Sequence, residues 1–130
     1  MRALLLCVVV LVSGCTYYHG VKVIVHEGGD SFVVLADRAD MNKYPGSPIA
    51  DAKVYAIMRA GNGNVVDEGA WETEASGSAP VVLWGDDPVL IRVTKKGYGT
   101  VEYRTKNLPK VDSDKGITKE LFVVMEKDGE

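Results

Sequence analysis

Hydrophobic residues occupy every second position in several short segments of this chain. The alternation is clearest over residues 53–59, where Val54, Ala56 and Met58 share one face, and it returns over residues 89–95. A period of two is typical of β-strands that bury one face, because successive side chains point to opposite sides of a strand. Turn-forming residues separate such segments about every eight to twelve residues, and the chain beyond residue 20 shows no helical periodicity. The sequence therefore predicts an all-β chain that folds as an antiparallel β-sandwich of about seven to nine short strands.

These segments predict one domain over residues 21–126. Its first two strands, residues 21–26 and 31–36, flank a glycine-rich turn and are predicted to pair as a hairpin. Residues 127–130 are expected to be a frayed tail. The other predicted strands cover residues 53–59, 65–66, 70–74, 81–84, 89–95, 98–104 and 119–126, and polar loops cover residues 37–47 and 107–117.

The start of the chain has a different composition. Arg2 is the only charged residue before an uninterrupted apolar run over residues 3–12, and the small residues Ser13 and Gly14 follow it. A charged start, a short apolar run and a small-residue exit describe a secretory signal peptide. A membrane-spanning helix needs about 20 apolar residues, so this run is too short to be one. Residues 1–14 are therefore predicted to be a signal peptide that is removed.

The exit of this run resembles the bacterial lipobox, through Leu11, Val12, Ser13 and Gly14 directly before Cys15. The resemblance implies that the thiol of Cys15 receives a diacylglycerol group and that cleavage falls between Gly14 and Cys15. The new amino group is then acylated with a fatty acid such as palmitate. Two or more acyl chains hold a protein firmly on a membrane, whereas one chain binds only marginally.

Residues 15–20 are predicted to be a short lipidated tether. The five residues after Cys15 reach at most about 17 Å, so the domain should lie close to the bilayer. Tyr17 and Tyr18 either rest at the level of the lipid headgroups or pack on the edge of the domain. In enteric-type bacteria, an aspartate directly after the lipidated cysteine resembles an inner-membrane retention signal. This chain has Thr16 at that position instead. In a host with two membranes, this implies an anchor in the outer membrane that faces the periplasm.

The charge balance argues against binding to nucleic acid. The chain has 15 basic and 18 acidic residues, and removal of Arg2 increases the acidic excess. The basic residues form no stripe, whereas phosphate contacts need a basic face. The membrane contact is therefore expected to come from the lipid alone.

Residues 47–126 resemble the carboxypeptidase regulatory-like family. The stretches that carry the resemblance are residues 47–54 (SPIADAKV), 73–78 (TEASGS), 95–98 (KKGY) and 120–125 (ELFVVM). The resemblance implies a transthyretin-like, or prealbumin-like, sandwich. One departure lies at residues 76–80, where Ser-Gly-Ser-Ala-Pro replaces the family's Asp-Gly-Phe step.

The sequence offers no convincing catalytic or metal-binding pattern, and no cofactor is predicted. His19 and His26 are the only histidines, and their spacing does not suggest a metal site. Residues 112–116 begin like a calcium loop but lack its later oxygen ligands. Among related folds, intradiol dioxygenases bind iron through two tyrosines and two histidines, and no histidine follows His26 here. The chain is therefore predicted not to be an enzyme.

The most economical function is a membrane-anchored envelope lipoprotein with a non-catalytic sandwich that binds protein or builds an assembly. A sandwich has edge strands whose open backbone groups can pair with an envelope protein partner. The alternative is a glycan-binding lipoprotein that stacks sugars on Trp71 and Trp84. That alternative requires both indoles to be exposed on one face. Otherwise the two tryptophans have a packing role.

Overall fold

The computed structural model describes residues 18–37 and 45–128. Within these ranges the chain forms β-strands and no helix, and so it contains no helix long and apolar enough to cross a membrane. The predicted signal peptide and Cys15 lie outside the described residues. The strands are β1 (Tyr18–Gly28), β2 (Phe32–Asp37), β3 (Lys53–Arg59), β4 (Val65–Glu72), β5 (Ser78–Trp84), β6 (Val89–Thr94), β7 (Val101–Thr105) and β8 (Lys119–Glu126).

The eight strands form two four-stranded sheets, which confirms the predicted β-sandwich. The first sheet has the strand order β2-β8-β1-β5, and the second has the order β4-β3-β6-β7. All neighbouring pairs are antiparallel except β1 and β8, which run parallel. The sandwich is therefore predominantly, but not wholly, antiparallel.

The hydrophobic core lies between the two sheets and is built from alternate residues of each strand. Apolar burial of this kind, at roughly 25 cal/mol per Å², is the main favourable term in folding. The alternation predicted for residues 53–59 and 89–95 is confirmed by the structure. The buried core residues on β1, β3, β5, β6 and β8 are Val21, Val23, Val25, Val54, Ala56, Met58, Ala79, Val81, Leu83, Val89, Ile91, Val93, Leu121, Val123 and Met125.

The predicted hairpin between the first two strands is wrong, because β8 lies between β1 and β2. Strand β8 pairs with β1 in parallel, with Lys22 opposite Glu120, and with β2 in antiparallel, with Phe32 opposite Val124. The physical reason is the burial of β8, whose residues from Glu120 to Met125 are buried on both faces. The backbone amides and carbonyls of such a buried strand need hydrogen-bond partners, which a neighbouring strand on each side supplies. Strand β8 therefore separates the two segments that the local turn would otherwise pair.

Strand β1 begins at Tyr18, so residues 18–20 of the predicted tether lie in the sheet. Their partners are on β5, with Tyr18 opposite Trp84 and Gly20 opposite Val82. This pairing joins segments far apart in the chain, which local sequence patterns do not reveal. The first sheet therefore extends to within three residues of Cys15.

Three smaller differences concern the ends of predicted strands. Residues 65–72 form one continuous strand, β4, where two short strands were predicted. Strand β7 begins at Val101, because Tyr98 instead forms an isolated bridge with Lys127. The amide of Asp128 also donates to the carbonyl of Gly97, so the described part of the predicted frayed tail is held in place. Residues 129–130 lie outside the described ranges.

Candidate functional site

The edge strands of the two sheets differ in how well they are protected against pairing with another chain. An edge strand presents open amide and carbonyl groups, and charged residues or proline commonly block it. Strand β7 carries Glu102 and Arg104, strand β4 carries Glu68 among other acids, and strand β5 carries Pro80. Strand β2 has no charged residue or proline from Phe32 to Ala36. We call residues 32–36 the apolar edge.

The apolar edge is exposed and rests on a small buried hydrophobic cluster. The side chains of Phe32, Val34 and Leu35 are exposed by about two fifths. The ring of Phe32 meets the ring of Phe122 edge-on, with centroids 5.9 Å apart. Phe122 is buried with Ile24 and Val124 in a second cluster. Since no described strand pairs with the outer side of β2, the edge combines unpaired strand backbone with exposed apolar side chains that rest on a buried cluster.

Asp37 closes the apolar edge at its far end. Its carboxylate receives a hydrogen bond from the ammonium group of Lys119, on the neighbouring strand β8. Both side chains are substantially exposed, so this pair contributes little to folding stability. It does place the first charged group of β2 directly after residue 36, which limits the uncharged stretch to one short strand.

A second exposed apolar feature lies at the end of the sandwich where β1 begins and β5 ends. The rings of Tyr18 and Trp84 meet edge-on, with centroids 4.7 Å apart and planes at 81°. Val66 lies at the same end, because its side chain lies beside Gly85, which directly follows β5. All three side chains are between 40% and 45% exposed. We call Tyr18, Val66 and Trp84 the aromatic end.

The backbone around the aromatic end is fixed by hydrogen bonds. The amide of Trp84 donates to Oδ2 of Asp67 at 2.7 Å. The amide of Val111 donates to the carbonyl of Tyr18 at 3.0 Å, and the amide of Gly20 donates to the carbonyl of Pro109 at 2.8 Å. Both aromatic residues thus project from ordered backbone.

The two tryptophans do not share a face. Trp84 is exposed on β5 of the first sheet, whereas Trp71 lies on β4 of the second sheet and packs against the core. The ring of Trp71 covers Gly69, since a Cβ at that glycine would lie 2.6 Å from the indole. The shared platform that a glycan site on both indoles requires is therefore absent from this arrangement.

The two histidines lie in β1 and are not brought together. Their spacing of seven residues points them to opposite faces of the strand. His19 is buried, and its Nδ1 has no hydrogen-bond partner among residues 18–37 and 45–128. Nδ1 of His26 lies 2.9 Å from the carbonyl oxygen of Pro45, and its ring meets Phe122 edge-on. Residues 18–37 and 45–128 contain no group of three side chains that could hold a metal ion.

The segment that begins like a calcium loop forms a tight turn. The carboxylate of Asp112 accepts hydrogen bonds from the amides of Asp114 and Lys115, and these bonds lower the pKa of Asp112. Asp112 and Gly116 also exchange two backbone hydrogen bonds. The aspartate oxygen that a cation would need is therefore engaged by the turn's own backbone.

One side-chain pair closes the opposite end of the sandwich from the aromatic end. The hydroxyl of Tyr98 donates to Oε1 of Glu27 at 2.7 Å, and this hydrogen bond raises the pKa of Tyr98. Glu27 lies near the last residue of β1, whereas Tyr18 is its first. Tyr98 and Glu27 are 71 residues apart in the chain, so local sequence patterns do not reveal this pair.

Comparison with known proteins finds a likeness to a solved structure. No family model matches the chain, and no curated protein matches it. It is similar to the crystal structure of 3-chlorocatechol 1,2-dioxygenase from Rhodococcus opacus 1CP, with 12% identity and a TM-score of 0.43. The match covers 81% of this chain and 65% of that chain, so this chain spans less than two thirds of the dioxygenase.

This comparison contradicts the sequence-based prediction that the chain is not an enzyme, because the structure it matches is an enzyme. We therefore withdraw that prediction. At this identity and TM-score, the likeness assigns no reaction, substrate or catalytic residue to the chain.

Proposed function

We propose that this chain is a membrane-anchored envelope lipoprotein, lipidated on Cys15, whose β-sandwich binds an envelope protein through the apolar edge. The lipobox-like residues before Cys15 support the anchor. Their position supports it further, since a folded strand begins only three residues later, at Tyr18. A sandwich held that close to a bilayer meets partners that are themselves at the membrane surface.

The observation that carries the binding proposal is strand β2, which lies at the edge of its sheet and has no strand on its outer side among residues 18–37 and 45–128. An extended segment of a partner can add to such an edge, with main-chain hydrogen bonds supplying affinity and side-chain contacts supplying specificity. Phe32 and Val34 lie two residues apart, so they project to the same side of the strand. We expect an apolar strand from the partner, because a charged one would leave its charges beside these side chains.

Lipidation is tested by comparing the unaltered chain with Cys15→Ala in cells that are fed a radioactive fatty acid. The unaltered chain should incorporate label, and the variant should not, because the thiol that accepts the diacylglycerol is gone. Cys7→Ala is the matched control, since it removes a thiol from the predicted signal peptide and should leave labelling intact. Equal labelling of the Cys15 variant and the unaltered chain would refute the anchor.

Edge binding is tested with a photoreactive amino acid placed at Val34 and, as the matched control, at Val82. These valines are 41% and 36% exposed and lie on opposite edge strands of the same sheet. Illumination of intact envelopes should yield one crosslinked envelope protein from position 34 and none from position 82. Peptide mapping of the adduct should place the crosslink in an extended segment. The binding proposal fails if both positions capture the same proteins.

We further propose that the anchor lies in the outer membrane and faces the periplasm if the host has two membranes. The support is Thr16, which occupies the position directly after Cys15 where an aspartate would resemble an inner-membrane retention signal. Separation of the two membranes on a density gradient should recover the protein with the outer membrane. Thr16→Asp should shift it to the inner membrane, whereas Thr16→Ser should not. Recovery of the unaltered chain in the inner membrane alone would contradict this address.

A further inference from the structure

The aromatic end lies beside the proposed point of lipid attachment. Cys15 precedes Tyr18 by three residues, and three extended residues span at most about 11 Å. An acylated cysteine sits at the boundary between the acyl chains and the headgroups, and each headgroup layer is about 5–8 Å thick. Tyr18 is thus tied to within a short distance of the headgroups, whatever path residues 16–17 take.

Trp84 and Val66 belong to the same end of the molecule as Tyr18. Trp84 is the direct strand partner of Tyr18, and their rings are in contact. Val66 is linked to this pair through Gly85, which follows Trp84 in the chain. Tryptophan and tyrosine are the residues most favoured at a membrane–water interface, because each has an apolar ring and one polar group.

We propose that the aromatic end inserts into the headgroup layer of the membrane that holds Cys15. This inference rests on the proposed lipid anchor. The covalent anchor brings the end of the sandwich to the lipid, and Tyr18, Val66 and Trp84 then lose water from exposed apolar surface. The contact fixes the orientation of the sandwich relative to the membrane.

The orientation follows from the direction of β1. This strand starts at Tyr18 and runs for 11 residues to Gly28, a length of about 33 Å at the usual rise per residue. With Tyr18 in the headgroups, β1 points away from the membrane. Tyr98 and its partner Glu27 then lie at the end of the sandwich that is far from the lipid.

The two tryptophans provide an internal test, because the chain contains no others. The lipidated protein is purified from bacterial membranes and incorporated into phosphatidylcholine vesicles, with or without lipids that carry bromine near the top of the acyl chains. Trp71→Phe leaves Trp84 as the reporter, and Trp84→Phe leaves Trp71 as the matched control. Brominated lipid should quench the Trp84 reporter at least about twofold more than the Trp71 reporter.

A second measurement does not depend on replacing the packed ring of Trp71. Cys15 is acylated in the mature protein, so a cysteine introduced at an exposed site is the one free thiol that a fluorophore can label. An environment-sensitive fluorophore at Val66→Cys should shift to shorter wavelength when vesicles are added. The same fluorophore at Lys96→Cys, in the turn before Tyr98 at the opposite end, should not shift.

The outcomes separate this inference from the anchor on which it rests. Flotation of the vesicles reports the anchor independently of either reporter. Protein that floats with the vesicles while Trp84 and position 66 stay in water overturns the inference and leaves the anchor standing. Protein that does not float overturns both. Strong quenching of Trp71 together with a shift at position 96 would also overturn it, because the opposite end would then contact lipid.

Discussion

The substitution Thr73→Val should destabilise the sandwich even though it preserves the shape of the side chain. The Thr73 hydroxyl is buried where β4 ends, between that strand and the segment that leads into β3. Its Oγ1 donates to the carbonyl of Ile49 at 2.7 Å and accepts a hydrogen bond from the amide of Ala52 at 2.9 Å. Thr73 is 2% exposed and Ala52 is fully buried, so water cannot replace the lost hydroxyl.

The magnitude follows from these two hydrogen bonds. Each buried group that is left without a partner costs about 1–3 kcal/mol, partly offset by the apolar surface of the new methyl group. We therefore expect Thr73→Val to lower the free energy of unfolding by about 2–4 kcal/mol. The backbone bonds between Thr73 and the segment, from its amide to Ala52 and from Asp51 to its carbonyl, remain in place. The substitution thus isolates the hydroxyl.

The matched control is Thr73→Ser, which keeps both hydrogen bonds and removes one methyl group. Its expected cost is about 1 kcal/mol. Urea unfolding followed by tryptophan fluorescence, in a background of Cys15→Ala so that no lipid is attached, measures both variants. If valine at position 73 costs less than serine, or lies within about 0.5 kcal/mol of the unaltered residue, the hydroxyl does not hold the segment and the reasoning is refuted.

Two further predictions concern a close contact and a titrating hydroxyl. Gly20→Ala should cost about 2 kcal/mol or more, because a Cβ there would lie 2.4 Å from a backbone carbonyl oxygen of β5. A Cβ at Gly97 would meet open space, but the φ angle there is positive, so Gly97→Ala should cost about 1 kcal/mol in the same urea assay. Equal losses of unfolding free energy in the two variants would contradict the contact argument. Tyr98→Phe should remove a phenol that ionises above the usual tyrosine range, because its hydrogen bond to Glu27 raises the pKa of Tyr98. Since the folded-state pKa is the higher one, this bond stabilises the fold below pH 10.0 and is lost as the pH rises through the folded-state pKa. If the absorbance change that the variant lacks falls within the usual tyrosine range instead of above it, the bond is excluded.

The sandwich class and most strand positions could be predicted from the sequence because the signal for them is local. Val54, Ala56 and Met58 alternate with exposed or half-buried neighbours, and the structure buries all three. The same local reasoning failed for the hairpin of β1 and β2. Nothing near Gly28 indicates that β8, about 90 residues further along, inserts between the two strands.

The candidate sites show the same division between local and long-range information. Cys15 is proposed from five adjacent residues and needs no knowledge of the fold. The apolar edge requires the strand order, because a run such as residues 32–36 is equally suited to a central strand. The aromatic end requires a contact between Tyr18 and Trp84 across the sheet, and neither residue is distinctive in its own segment.

The two proposed surfaces are compatible because the first sheet fixes the distance between them. Register across β8 places Phe32 level with His26 on β1, and it places Ala36 level with Lys22. Counted along β1 from Tyr18, these levels correspond to about 26 Å and about 13 Å. If the aromatic end lies in the headgroups, the apolar edge stands above the membrane surface and runs nearly along its normal. A partner that adds a strand there must present an extended segment pointing toward or away from the membrane, within about 13–26 Å of it, which a protein embedded in the same bilayer can supply through a short exposed loop.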